Sequence, residues 1–348
     1  MERSQYRIID ANFNRAREAA RMMEEFCRFV LNSTTLTERT KSVRHQLSAS
    51  IARLDMSRLL AARDTLADVG VGAKVPEQIY RQNIHDSFTA ACKRLVEALR
   101  VLAETIYPLN KEVAEDIEKL RYTAYTLEKD ITVFSQAASK FAAVRLYVII
   151  TSDLPAHIIS LTYRCLQGGA DCLQLRAKDM DDAKFMAVAI EFAKICREWN
   201  ALSIINDRVD IAVAAAADGV HLGVNDIPVE HARKLQMTPL IVGKSTHSAE
   251  QLERAIAENP TYVSLGPVFP TDTKPEAQPV GLEYIKSGLQ MLEGTGIAHV
   301  AIGGITPNNL DQVLSAGAKT VAVCSAATET KNPTKACKEL KEKLTAAG

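Results

Sequence analysis

RLYVIIT (145–151), CLQLR (172–176), LSIIN (202–206), GVHLG (219–223), LIVGKS (240–245), YVSLGPV (262–268), HVAIGG (299–304) and TVAVCSA (320–326) follow one another through the second half of the chain. Each is a short run of apolar and β-branched residues of strand length. Most are separated by helical patterns such as DDAKFMAVAIEFAKICREWN (181–200) and SAEQLERAIAEN (248–259). Eight strand–helix units within about 200 residues are what a closed parallel barrel needs, whereas a doubly wound sheet usually has fewer. The runs are apolar almost continuously, as strands covered on both faces are. The pattern predicts an α/β fold, a (β/α)8 TIM barrel over residues 141–348.

Upstream the rhythm is different. Ala19, Met23, Phe26 and Val30 recur at helical spacing, as do Ile84, Phe88, Ala91, Leu95, Leu99, Leu102 and Ile106, and then Val113, Ile117, Leu120, Ala124, Leu127 and Ile131. Pro108 ends the second stripe and Asn110 is placed to cap the third. Gly70, Gly72 and Pro76 mark a connector. Residues 1–140 therefore read as an all-α N-terminal domain. Arg15-x-x-Glu18-Ala19-x-Arg21-x-x-x-Glu25 returns 79 residues later as Arg94-x-x-Glu97-Ala98-x-Arg100-x-x-x-Glu104. Duplication is one reading; ordinary charge pairs on solvated helix faces are the other, and the commoner one.

Composition narrows the function. Among 348 residues, 42 basic side chains balance 42 acidic ones, so no global field favours nucleic acid or a membrane surface. Any anion site must be built locally. Seven cysteines, none in a C-x-x-C pair, argue against a disulfide framework or structural zinc and for a reducing cytoplasm. MERSQYRIIDANFNRAREAA at the start lacks the apolar core of a signal peptide, and RLYVIIT is too short to cross a bilayer.

A barrel gathers its chemistry at the C-terminal ends of its strands. Gln174, Arg176 and Lys178 alternate onto one face at the end of the second run, an amide and two cations suited to a diphosphate. Asn206 and Asp207 end the third run, and Asp226 follows the fourth. Two hard-oxygen carboxylates beside that cationic set make a Mg2+–diphosphate clamp; the plainer reading, helix capping, suits either aspartate alone. Ser245, Thr246 and His247 end the fifth run. The sixth leads into a hydroxyl-rich, proline-bracketed loop with Thr271, Asp272, Thr273 and Lys274. Gly303 and Gly304 end the seventh and Cys324-Ser325 the eighth, where backbone N–H groups of such barrels often hold phosphate.

Taken in order, QLRAK, IND, GVHLGVND, GKSTH, GPVFPTDTK, IGGIT and VCSA closely resemble thiamine-phosphate synthases over about residues 144–340. The resemblance implies condensation of an aminopyrimidine diphosphate with a thiazole phosphate, giving thiamine phosphate and diphosphate. It implies that Gln174, Arg176, Lys178, Asn206, Ser245 and Lys274 hold the pyrimidine diphosphate. Asp207 and Asp226 would bind Mg2+. Thr271, Asp272, Thr273, Gly304, Cys324 and Ser325 would receive the thiazole phosphate. Val224 departs from the family, which usually has Gln there, and Cys324 replaces a branched aliphatic residue. His221 and His247 are expected to serve as hydrogen-bonding groups, since this reaction needs no strong base. Two rivals stand beside this reading: a barrel that only isomerises or senses the thiazole, and a non-catalytic phosphate-binding barrel with a helical interaction domain.

The helical part (YRIIDANFNRAREAARMMEEFCRF, KSVRHQL, RDTLADVG, KRLVEALRVLAE) resembles a domain found fused to this synthase or alone, with a pyrimidine-phosphate kinase role implied. No P-loop is present. Arg15, Arg21, Arg44, His45, Asp64 and Asp68 are its candidate polar residues, and a structural or homo-oligomerising role is the alternative.

Overall fold

The computed structural model describes residues 2–65, 68–69, 80–236, 238–271 and 278–347. The expected connector at Gly70, Gly72 and Pro76, and the site candidates Asp272, Thr273 and Lys274, lie outside the described residues. The chain divides into two compact units, Met1–Thr132 and Val133–Gly348.

The first unit is helical: α1 (Glu2–Glu25), α2 (Thr34–Ile51), α3 (Met56–Ala62), α4 (Ile84–Ile106) and most of α5 (Lys111–Phe141). Its stripes are buried largely as the spacing predicts, including Met23, Phe26, Leu95, Leu102, Ile117 and Ile131. Val30 and Ile84, at the ends of two stripes, are exposed. For Val30 the cause is local, because Phe26–Val30 winds as a π-helix and turns the stripe off the α-helical phase. Asn110 accepts from the Val113 amide at 3.1 Å, a side-chain cap at the start of α5.

The second unit is a closed barrel in strand order β1 to β8, every neighbour parallel. The strands are β1 (Leu146–Thr151), β2 (Cys172–Arg176), β3 (Leu202–Asn206), β4 (Gly219–Leu222), β5 (Ile241–Thr246), β6 (Tyr262–Leu265), β7 (Ala298–Ile302) and β8 (Val321–Val323). Around them run α6 (Pro155–Gln167), α7 (Asp182–Glu198), α8 (Val209–Ala214), α9 (Val229–Leu235), α10 (Ala249–Glu258), α11 (Gly281–Leu292), α12 (Leu310–Ser315), α13 (Ser325–Thr328) and α14 (Pro333–Ala346). β6 stops short of the predicted run; Pro267, joined to Gly266 by a cis bond, has no N–H to offer a ladder.

Alternation along the strands separates two apolar layers. Val148, Leu173, Ile205, Val220, Val242 and Val323 point outward against the helices. Tyr147, Cys172, Ile204, Ile241, Tyr262, Val300 and Ala322 fill the interior. The lower end of that interior is closed by chain that precedes the barrel. Ala137 and Phe141, from the last turns of α5, pack with Val144 into the same cluster. The Phe141 ring stacks on Tyr262 with centroids 4.3 Å apart and planes 3° off parallel. No described helix is long and apolar enough to cross a membrane.

Candidate active site

With the lower end filled by aromatic and aliphatic side chains, open space remains at the C-terminal ends of the strands. A cavity of about 540 Å3 lies there, within the range of small-molecule sites. Inward alternation carries the polar strand ends into it. Gln174, Arg176 and Lys178 line it from β2 and the residues just beyond, Asn206 and Asp207 from β3, Asp226 from the loop after β4, and Ser245 from β5. Thr271, Gly304, Cys324 and Ser325 complete the wall. Every expected site residue that lies among the described residues thus borders one space. Lys244, one step out of phase, points to the helix layer and pairs with Glu258 at 3.9 Å.

The acidic corner has a particular electrostatic character. Asp207 is half-buried, and its carboxyl is pushed up to about 6 by burial and by hydrogen-bonding contact with the Asp226 carboxyl, against the pull of Lys178 and Arg176. Asp226 is held in place by accepting from the Gly223 amide at 2.5 Å. Asp207 sits at φ +60°, a left-handed conformation, while its own amide donates to the His221 carbonyl at 2.9 Å. Among the described residues no cluster of three or more His, Cys, Asp or Glu side chains is arranged around a metal. An Asp pair is nonetheless a sufficient protein contribution for Mg2+, which keeps waters and takes substrate phosphate oxygens.

The opposite side of the mouth is made of backbone. The Val268 and Phe269 amides donate to the carbonyls of Ile302 and Gly303 at 2.9 and 3.0 Å, pinning the loop after β6 to the end of β7. That contact sets Phe269 and Pro270 against Gly304. Gly304 has φ +63°, and a Cβ there would stand 2.4 Å from the Pro270 carbonyl oxygen. Asn309 ties the turn by donating to the Gly304 carbonyl and accepting from the Thr306 amide, both at 2.8 Å.

Both histidines are engaged as hydrogen-bonding groups. His247 lies with Nδ1 2.5 Å from the Gly266 carbonyl, so Nδ1 carries the hydrogen. His221 joins Tyr262 and Ser245, at 3.0 and 2.9 Å. Tyr262 in turn bonds Tyr147 at 2.9 Å, and Gln174 Nε2 donates to the Tyr147 hydroxyl at 3.1 Å. This buried polar chain was not visible in the sequence, where Tyr147 and Tyr262 read as strand core; the only sign is that both fall on inward phases.

Residues 146–327 match the family model for thiamine monophosphate synthase, and residues 7–130 match the ThiD2 family. A thiamine-phosphate synthase of Synechocystis sp. is 38% identical over 338 residues, 97% of this chain and 96% of that one. The chain belongs to the thiamine-phosphate synthase family. A second thiamine-phosphate synthase, from Prochlorococcus marinus strain MIT 9303, is 39% identical over 345 residues, again 97% of this chain and 95% of its own. The solved thiamine phosphate pyrophosphorylase from Pyrococcus furiosus superposes with a TM-score of 0.54 at 33% identity, covering 60% of this chain and 98% of that one. As a member of the thiamine-phosphate synthase family the chain is an enzyme, a transferase of thiamine biosynthesis.

In the helical unit, the candidate residues divide. Glu24, buried, binds Arg21 at 3.0 Å and Arg44 at 2.8 Å. Arg21 also pairs with Glu25, and Arg100 pairs with Glu104 at 2.6 Å. The repeated Arg–Glu spacing therefore makes the same i,i+4 pair on α1 and α4. Asp64 lies 3.6 Å from Arg3, while Arg15, His45 and Asp68 are exposed. Glu24 was missed by sequence reading because nothing distinguishes it there from its half-buried neighbour Glu25.

Proposed function

We propose that this cavity joins an aminopyrimidine methyl diphosphate to a thiazole ethyl phosphate, releasing diphosphate and forming thiamine phosphate. The observation that carries the reading is that two carboxylates, two cations and a glycine-lined backbone wall share one cavity. The Asp207–Asp226 pair fits a divalent cation: burial and the adjoining Asp226 carboxyl together push Asp207 up to about 6, and a shared positive charge would offset both. Bound Mg2+ would supply neutralising charge to the departing diphosphate.

The chain's own residues do the rest. Arg176 offers a planar fork to the diphosphate oxygens and Lys178 a mobile point charge, lowering the cost of charge growing on the leaving group. Gln174, Asn206 and Ser245 orient the pyrimidine so that its ring delocalises the positive charge left on the methylene. The bond from methylene carbon to diphosphate oxygen breaks with its electron pair on oxygen. The thiazole nitrogen lone pair then forms the new C–N bond. Thr271, Gly304, Cys324 and Ser325 hold the thiazole phosphate, Cys324 through its backbone, so that the nitrogen faces the carbon. By the resemblance, Asp272 and Thr273 are assigned to the thiazole phosphate and Lys274 to the pyrimidine diphosphate. For residues 7–130, the ThiD2 match and the resemblance of the helices support phosphorylation of the pyrimidine monophosphate, which would make the substrate that the barrel consumes. The seven free cysteines suit a cytoplasmic setting.

The test is turnover of the two substrates by the full chain. Arg176→Ala should lower kcat/KM by roughly 100- to 1000-fold with the thermal transition unchanged. Near-normal turnover in a folded Arg176→Ala protein would refute the diphosphate assignment.

A further inference from the structure

The buried chain of hydrogen bonds inside the barrel runs Gln174, Tyr147, Tyr262, His221, Ser245, with links of 3.1, 2.9, 3.0 and 2.9 Å. Both its ends, Gln174 and Ser245, border the active-site cavity. Its middle is sealed: Tyr147 and Tyr262 are 1% and 0% exposed. Burial drives both phenols well above their ordinary pKa, so each hydroxyl keeps its single proton.

One proton per hydroxyl makes the chain directional. Gln174 Nε2 donates to Tyr147, so Tyr147 must spend its proton on Tyr262, and Tyr262 its own on His221 Nδ1. His221 is then the Nε2–H tautomer, donating to the Ser245 oxygen. Two consequences reach the cavity. Gln174 keeps its acceptor, Oε1, and its second Nε2–H, with their places fixed by the link to Tyr147, and Ser245 retains an O–H to donate. Turning the Gln174 amide over would require Tyr147, Tyr262, His221 and Ser245 all to reverse, and Ser245 would lose its donor to the histidine.

We propose that this relay fixes the hydrogen-bond polarity of the pyrimidine pocket, making Tyr147, Tyr262 and His221 positioning residues that select an amino-substituted ring over its oxo counterpart. The inference rests on the proposed pyrimidine site. A 4-aminopyrimidine carries a donor, its amino group, and acceptor ring nitrogens, which complements an acceptor at Gln174 and a donor at Ser245. A 4-oxopyrimidine puts a carbonyl where the amino group was and a hydrogen on the adjacent nitrogen. It meets Gln174 acceptor to acceptor, and the relay prevents Gln174 from turning to accommodate it.

The experiment compares kcat/KM for the aminopyrimidine diphosphate and the 4-oxopyrimidine diphosphate with the full chain, each with thiazole phosphate and Mg2+. The unmodified enzyme should favour the amino substrate by about 100-fold or more, since a group left facing the wrong partner is strongly rejected. Tyr262→Phe, which removes the central link, should lower that ratio by about tenfold, the weight of one hydrogen bond, because Gln174 and Ser245 are then free to turn independently. Tyr147→Phe cuts the next link and carries the same expectation. A variant that merely loosens the barrel would depress both substrates alike and leave the ratio intact. An unchanged ratio in either folded variant overturns the proposal, as does an unmodified enzyme with no amino preference. If neither variant folds, 15N shifts of selectively labelled histidine in the unmodified chain decide it: His221 must be the Nε2–H tautomer, and Nδ1–H overturns the relay. Failure of the unmodified enzyme to bind or turn over either pyrimidine would instead remove the pyrimidine site itself.

Discussion

Asp207 combines two properties that a substitution can separate: a left-handed backbone at φ +60° and a carboxylate facing Asp226, Lys178 and Arg176. Alanine disturbs both, because a Cβ-bearing residue without a polar side chain is disfavoured there by roughly 1 kcal/mol. Asparagine tolerates the backbone and removes only the charge. Asp207→Asn is therefore expected to melt within a degree or two of the parent while losing about 100-fold or more in Mg2+-dependent turnover; differential scanning calorimetry beside a Mg2+ titration checks both halves. Much of this corner was legible in the sequence. Gln174, Arg176 and Lys178 alternate on one phase of a strand, and phase decides which way a barrel side chain points. Tyr147 and Tyr262 were not legible, because an aromatic in an apolar run reads as core whether or not its hydroxyl has a partner. The partners come from strands up to 115 residues apart, set only by closure of the barrel.

The strands and helices of the barrel follow from their periodicity, but where α5 changes allegiance does not. Its stripe continues unbroken through Ile131, Phe134, Ala137 and Phe141, all buried, and amphipathic spacing records that a face is covered, not by what. A division near residue 140 was the natural expectation, yet residues 133–141 pack with the second unit, and Phe141 lies stacked against Tyr262. Phe141→Ala should cost about 3–5 kcal/mol, read from the denaturant midpoint of the barrel. A second element-level effect concerns β7. His299 Nε2 accepts from the Lys319 amide at 2.9 Å, and burial, with Lys319 and Arg145 nearby, brings its pKa down to about 4 from the usual 6.5. The unfolded chain takes up that proton as pH falls below 6.5, whereas the folded chain refuses it until about 4. The contribution is thus complete above pH 6.5, declines between 6.5 and 4, and levels off below. His299→Gln should flatten that part of the stability–pH curve, measured by urea unfolding at pH 7 and pH 5.

At the scale of the whole molecule, the two family matches, residues 7–130 and 146–327, set a transferase barrel behind a helical unit whose own chemistry is proposed here as supplying its substrate. The full chain given pyrimidine monophosphate, ATP, thiazole phosphate and Mg2+ should make thiamine phosphate. Arg176→Ala under the same conditions should instead accumulate pyrimidine diphosphate, visible by 31P NMR; no diphosphate in that variant would leave the helical unit without the kinase role. The unit's fold was legible from its stripes, but its chemistry was not. Glu24 is set apart from other helix glutamates only by the burial that brings Arg21 and Arg44 onto it. The closure of the barrel's lower end by Phe141 also limits how such chains can be recombined. A chimera that exchanges the helical unit must take its junction ahead of Val133. One spliced at the visible start of β1 would inherit eight intact strands and leave the Tyr262 ring open to water from below.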